Sequence, residues 1–308
     1  MKTQLKKSAY LFVLSVVLFA SFTSCKEDED PVVVQQKSIV ETASSNSDFS
    51  ILVQALQKAD LVTTINNSTN LTVFAPTNSA FNALFTKLGV TGINDLSKET
   101  LTPILLYHVL GQKITSSQIQ NGYVYTLSPG AGAKTQALYI KIDGGVKLNK
   151  TSKVVIPDIM TSNGIIHAID QVILPNTVVD IASNNGDFSI LVEAVVKADL
   201  AGTLSGAGPF TVFAPTNAAF QALFTTLGVT GIKDLTKEQL TPILLYHVVS
   251  GNVLSSQLQS GDVSTLNGKF KVAVGTQVTI NDNVKVVAVD VQGSNGAVHV
   301  IDKVLLPK

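Results

Sequence analysis

Apolar residues at Phe49, Leu52, Val53 and Leu56 fall at i, i+3, i+4 and i+7, with Gln54, Gln57 and Lys58 between them. That spacing is the stripe of a helix lying on a core. The run Leu71–Phe74 is β-prone and is ended by Ala75-Pro76-Thr77, since proline removes a ladder donor. Thr77 or Asn78 can then cap a helix carrying Phe81, Leu84 and Phe85. Thr102-Pro103 reads as an N-cap followed by proline at the first helical position, predicting a helix over Ile104–Val109. Beyond Gly111 the period changes to that of strands. Ile140 and Ile142, then Val146 and Leu148, flank Asp143-Gly144, a hairpin signal. The apolar run GIIHAIDQVILP from Gly164 is a further strand. Helices come first and strands later, which reads as α+β.

The pattern then repeats. TVFAPTN stands at Thr72–Asn78 and at Thr211–Asn217, 139 residues apart, and 32 of 39 positions from Thr72 to Leu110 match Thr211 to Val249. The helical stripe recurs as Phe188, Leu191, Val192 and Val195, and Thr241-Pro242 recurs after Thr236–Gln239, which fits a capping box. Ser97–Thr100 lacks the closing Glu or Gln. Val278 and Ile280, then Val284 and Val286, flank Asn281–Asn283, and the last strand begins at Gly296, an offset of 296 − 164 = 132. The second copy has therefore lost about seven residues, and the loop holding Ser128–Lys134 is the expected place, as a segment tolerant of deletion. The expected organisation is a leader over residues 1–24, an acidic tether over 25–36, and modules over 37–175 and 176–308. The junction Leu174–Thr177 is short, which favours a defined geometry between the modules.

The leader pattern is a basic start at Lys2, Lys6 and Lys7, an apolar run over Ala9–Ala20, then small polar residues up to Cys25. The run is too short to span a membrane, which takes about 20 residues. Phe22–Cys25 resembles the lipobox of bacterial lipoproteins, with Cys25 as the lipidated residue, and triacylation would suffice for stable anchoring. The acidic run Lys26–Asp30 resembles a surface-export signal. The expected address is the outer membrane, at the cell surface or facing the periplasm. Cys25 is the only cysteine, so disulfides within the chain are excluded.

Composition narrows the function. All 22 basic residues are lysine, and without the leader the net charge is 19 − 22 = −3. No basic patch is implied, so nucleic acid is not an expected partner. The 45% hydrophobic and 14% charged residues describe a well-packed globular protein.

TVFAPTNSAF and TVFAPTNAAF, the pairs Tyr107-His108 and Tyr246-His247, and the closing blocks NGIIHAID and NGAVHVID resemble the three motif blocks of the fasciclin domain, in order and in both copies. The resemblance covers nearly everything from about residue 37 to Lys308. It implies two tandem fasciclin-like domains, each a β-wedge sheet packed with several α-helices, and a role in adhesion or protein contact rather than catalysis. In animal relatives the Tyr-His pair and an Asp-Ile pair are tied to integrin binding. Here Asp158-Ile159 matches the second, which makes Tyr107, His108, Asp158, Ile159, Tyr246 and His247 the candidate partner-binding residues.

Catalytic alternatives find little footing. Each module offers two histidines, and with no further cysteine this falls short of the three or four convergent ligands of a zinc site. His167 and His299 sit in apolar strands and are expected to be buried and bonded to backbone. No G-x-S-x-G elbow occurs, and Gly130–Thr135 imitates a phosphate loop without its final glycine, so it is expected to be a flexible loop. No cofactor, metal or enzymatic activity is expected. The expected function is a lipid-anchored adhesion or interaction protein with a protein or matrix partner. The alternative is glycan binding, for which the sole hint is that Tyr123, Tyr125 and Tyr139 cluster in the first module. Any division of labour is expected where the copies differ, at Ser128–Lys134, the tyrosines, and Ile156–Met160 against Val289–Val291.

Overall fold

The computed structural model describes residues 35–132 and 134–307; the leader, Cys25 and most of the tether lie outside them. Module 1 begins with α1 (Ile39–Ser44), α2 (Ser50–Lys58) and α3 (Val62–Asn67). Strand β1 (Leu71–Pro76) follows, then α4 (Asn78–Leu88), α5 (Lys98–Tyr107) and the short β2 (Val109–Leu110). Five strands complete it: β3 (Gly122–Pro129), β4 (Thr135–Ile142), β5 (Val146–Leu148), β6 (Ser152–Thr161) and β7 (Gly164–Ile169). Module 2 repeats the order as α6 (Val178–Asn184), α7 (Ser189–Lys197), α8 (Ala201–Ser205), β8 (Phe210–Pro215), α9 (Asn217–Leu227), α10 (Lys237–Tyr246) and β9 (Val248–Ser250). It ends with β10 (Gly261–Thr265), β11 (Gly268–Ala273), β12 (Thr279–Ile280), β13 (Val284–Gln292) and β14 (Gly296–Ile301). The fold is α+β, two tandem units of the expected kind.

The centre of each sheet is a parallel pair, β1 with β7 and β8 with β14. Every residue of β1, β7 and β14 is buried, as expected of strands covered on both faces. A Cβ at Gly164 or Gly296 would collide with the carbonyl of Leu71 or Phe210, so glycine is required for these strands to meet. The neighbouring asparagines act as staples. Asn163 accepts the Ile39 N–H at 2.9 Å and donates to the carbonyls of Ile65 and Ser68; Asn295 does the same for Val178, Leu204 and Gly206. In module 1 a single pair, Leu110 with Thr126, closes the sheet into a barrel. In module 2 the corresponding β9 and β10 do not pair with each other among the described residues, and the sheet stays open.

Thr77 caps α4, while Asn78, its first residue, reaches back to the Ile51 N–H and the Ser47 carbonyl to fix the start of α2. The Thr102-Pro103 reading is corrected: α5 starts at Lys98, Ser97 is its cap, and Pro103 lies inside. The earlier start is favoured because it puts Leu101, which is 1% exposed, on the helix face that meets the core. Proline near the N-terminal end frees only the Glu99 carbonyl, on an exposed residue. Thr236 closes its capping box with Gln239 as expected.

Candidate functional site

Tyr107 and His108 close α5 and its C-cap, and Tyr246 and His247 do so for α10; all four are buried. Tyr107 Oη donates to the Ala137 carbonyl at 2.8 Å and accepts from Asn149 Nδ2 at 3.0 Å. His108 Nδ1 bonds the Ile104 carbonyl at 2.7 Å, and its Nε2 accepts the Ile173 N–H at 3.0 Å. His247 repeats this with Ile243 and Leu305, and Tyr246 Oη donates to Lys269. Burial pushes both imidazoles down to about 4, so they are neutral near pH 7. The partner-contact role expected of Tyr107, His108, Tyr246 and His247 is therefore corrected. Their polar atoms tie helix to sheet inside the fold, where a partner cannot reach them.

Asp158 is placed differently. A bulge in β6 turns it to φ 60°, a left-handed conformation that aspartate tolerates better than most residues. Its carboxylate accepts the Ser116 N–H at 2.8 Å and the Ser116 hydroxyl, while its own N–H donates to His167 Nδ1 at 3.1 Å. His167 Nε2 is held by the Ile114 carbonyl at 2.9 Å. The Ser116 hydroxyl bond holds the Asp158 carboxyl below the usual carboxylate range. The side chain of Asp158 remains 33% exposed, whereas Ile159 packs against the module core.

Module 2 builds the same constellation from Asp290 (φ 61°), Ser255, His299 and Val253. There the carboxylate is covered, its side chain only 3% exposed. The cover is the tip of the β3–β4 hairpin of module 1. Lys134 Nζ lies 2.7 Å from Asp290 Oδ2, Tyr125 Oη donates to the Asp290 carbonyl at 3.2 Å, and the Ala131 N–H donates to the Gly293 carbonyl at 3.1 Å. Burial alone would raise the Asp290 carboxyl, but the bonds from Lys134 and Ser255 outweigh it and hold it low. A Cβ at Gly130 would collide with Gln292 and with the Lys134 carbonyl, which favours glycine there, while one at Gly132 would meet the amide end of Asn252. The junction adds a polar chain in which Asn149 and Asn184 donate to Asn176 Oδ1, and Ser294 donates to the Asn176 carbonyl.

The register shows where the copies part. Tyr125 pairs with Ala137 across β3–β4, and Ser264 pairs with Lys269 across β10–β11, leaving 11 residues at the first tip and 4 at the second. The seven residues absent from module 2 include Lys134 and the glycine-rich tip that contact it. The expectation of a free, deletion-tolerant loop is thus corrected at Ser128–Lys134: the tip is an inter-module clasp. Two of the three tyrosines contact module 2: Tyr123 Oη accepts from Asn185 Nδ2, and Tyr125 Oη donates to the Asp290 carbonyl while its ring stays 43% exposed.

Each module has a cleft beside its Phe74 or Phe213 position, of about 250 and 270 Å³. A third cavity, about 80 Å³ and aliphatic, lies in module 2, where Val178 and Val195 replace Ile39 and Leu56 of module 1. No group of three potential metal ligands is found among the described residues.

The model of the fasciclin domain matches residues 47–175 and 186–307. The chain belongs to the fasciclin family. A protein of Synechocystis sp., Protein sll1483, is 48% identical over 134 residues, covering 42% of this chain and 73% of the relative. The transforming growth factor-beta-induced protein ig-h3 of Sus scrofa is 30% identical over 290 residues, 91% of this fasciclin chain but 39% of the relative. The chain thus spans well under half of that larger protein. Among solved structures, the domain pair of the insect cell adhesion molecule Fasciclin I is 19% identical with a TM-score of 0.49, covering 85% of this chain and 98% of that one.

Proposed function

We propose that this chain is a lipid-anchored adhesion or interaction protein that presents two fasciclin modules, on the cell surface or toward the periplasm, to a protein or matrix partner. Fasciclin domains are found in adhesion and matrix-interacting proteins. The observation that carries the reading is the fate of the shared motif side chains. The Tyr-His pairs, the strand histidines and the block asparagines are all consumed in holding the fold. Of the positions that differ between the modules, those of the clasp are taken up by the inter-module contact, while Asp158 and Met160 stay open to solvent where Asp290 and Gln292 are covered. Asp158 and Ile159 remain the candidate contact in module 1, with Asp158 within reach of solvent. Cys25 supplies the anchor, and fixing the modules to each other makes the display rigid, which lowers the ordering cost of binding.

The test is binding by cells that export the chain. Cys25→Ala should release it from the membrane fraction and abolish attachment of those cells to an immobilised surface extract. Retention of the variant in membranes would refute the anchor, and equal attachment by cells lacking the protein would refute the adhesion reading.

A further inference from the structure

The two carboxylate sockets are built alike, but only one is filled. In module 2 the clasp covers Asp290, Gln292 and Gly293; in module 1 the same register positions are Asp158, Met160 and Thr161. The difference lies in that footprint alone. Val155 and its counterpart Val287 are equally open, at 51% and 53% exposed, so the clasp does not cover that part of the strand. Met160, however, is 46% exposed where Gln292 is fully buried, and Asp158 is open where Asp290 is covered. Thr161 takes the register position at which Gly293 offers its backbone carbonyl to the clasp, and its own side chain is buried.

We propose that the Asp158–Met160–Thr161 face of module 1 is the docking socket for a β-hairpin of a protein partner that carries a lysine at its tip. This rests on the adhesion reading only in taking the partner to be a protein. Charge and shape both come from the chain's own filled socket. Asp290 receives an ammonium from a hairpin whose glycines let its backbone approach, and Asp158 offers the same carboxylate, held in the same left-handed bulge by the same Ser and His partners. Met160 replaces the amide of Gln292 with a flexible apolar wall, and such a wall accepts varied tips. Lys113, which is exposed, stands where Asn252 faces the clasp. The chain does not fill this socket with its own second hairpin. In module 2 that turn is Leu266-Asn267, and the seven extra residues are missing. A second intact copy cannot supply its Lys134 either, since that lysine is held by Asp290. Neither the clasp hairpin nor its counterpart in module 2 is free to fill the socket, and the occupant is taken to be another protein.

The probe is a head-to-tail cyclised peptide with the sequence of residues 122–142. Titrated into the full chain and treated with a carbodiimide, it should form an amide between its Lys134-equivalent and Asp158, located by mass spectrometry. Asp158→Asn keeps the socket's shape and suits a left-handed φ, and should weaken binding at least about tenfold, or ~1.4 kcal/mol. A peptide with methionine for that lysine should weaken by a similar factor, while Asp262→Asn, at an exposed carboxylate on β10, should leave peptide binding unchanged. Equal binding to Asp158→Asn, cross-linking only elsewhere, or no binding at about 1 mM peptide would overturn the proposal. If cells bearing Asp158→Asn still adhere, the adhesion reading survives and this socket is not its basis.

Discussion

Replacing Lys134 with methionine removes the ammonium from Asp290 while keeping an aliphatic stem of similar reach. The pair lies at 2.7 Å, with Asp290 almost fully buried and Lys134 47% exposed. At an effective dielectric of about 20, the gross attraction at that separation is roughly 6 kcal/mol. Desolvation of the carboxylate and screening of the half-exposed lysine cancel most of it. Asp290 also keeps two bonds from Ser255, at 2.6 Å each, so it is not stranded. A net coupling of about 1–2 kcal/mol remains. The assay is a double-mutant cycle of Lys134→Met and Asp290→Asn, read by urea denaturation at low and high salt. The two single losses should fail to add by that amount, and the coupling should shrink only partly in salt, because Asp290 is shielded from solvent. A coupling below about 0.3 kcal/mol would show that the ion pair does not fasten the modules.

Other outcomes follow from the same geometry. Tyr107→Phe should cost about 1–2 kcal/mol, since the buried Ala137 carbonyl and Asn149 amide each lose a partner, while Tyr246→Phe should cost less because Asn281 is only half-buried; thermal denaturation of both variants checks the order. Asn163→Ala should cost about 2 kcal/mol, because three backbone groups lose their staple, and amide exchange should rise first at α1 and α3. Acid should destabilise the protein between pH 6.5 and 4. His108 and His247 stay neutral in the fold down to about 4 but take up protons near 6.5 when unfolded, so the stability they contribute is complete above 6.5 and lost as pH falls. Each histidine contributes up to about 3 kcal/mol to that loss. A urea midpoint flat from pH 7 to 4 would contradict this.

Much of the fold was legible because it is written in local rules. The helical stripe at Phe49–Leu56, the Asp143-Gly144 hairpin and the apolar closing strands each follow from spacing, and the repeat marked the unit. The histidines were also legible as buried groups, since a lone histidine in an apolar strand has nowhere else to go. Thr102-Pro103 misled because a Thr-Pro step satisfies the rule for a helix start, while the deciding fact was the burial of Leu101, which is tertiary. The Tyr-His pairs misled in another way: their recurrence fits a contact residue and a core residue equally well, and only burial separates the two. The clasp was half legible. The length difference pointed to Ser128–Lys134, but a glycine-rich stretch between strands carries no local sign that it docks on another module. Its lysine, its glycines and Tyr125 acquire their roles only from Asp290, Asn252 and Gln292, more than 100 residues away in sequence.

The central claim is that seven extra residues lock two otherwise similar modules into one body, and nitrogen-15 relaxation tests it most directly. The intact chain should show a single rotational correlation time for amides of both modules. A variant whose β3–β4 tip is cut to a two-residue turn should show two shorter and unequal times, with each module still folded. Independent tumbling of the modules in the intact chain, or unchanged tumbling after the tip is shortened, would contradict the account.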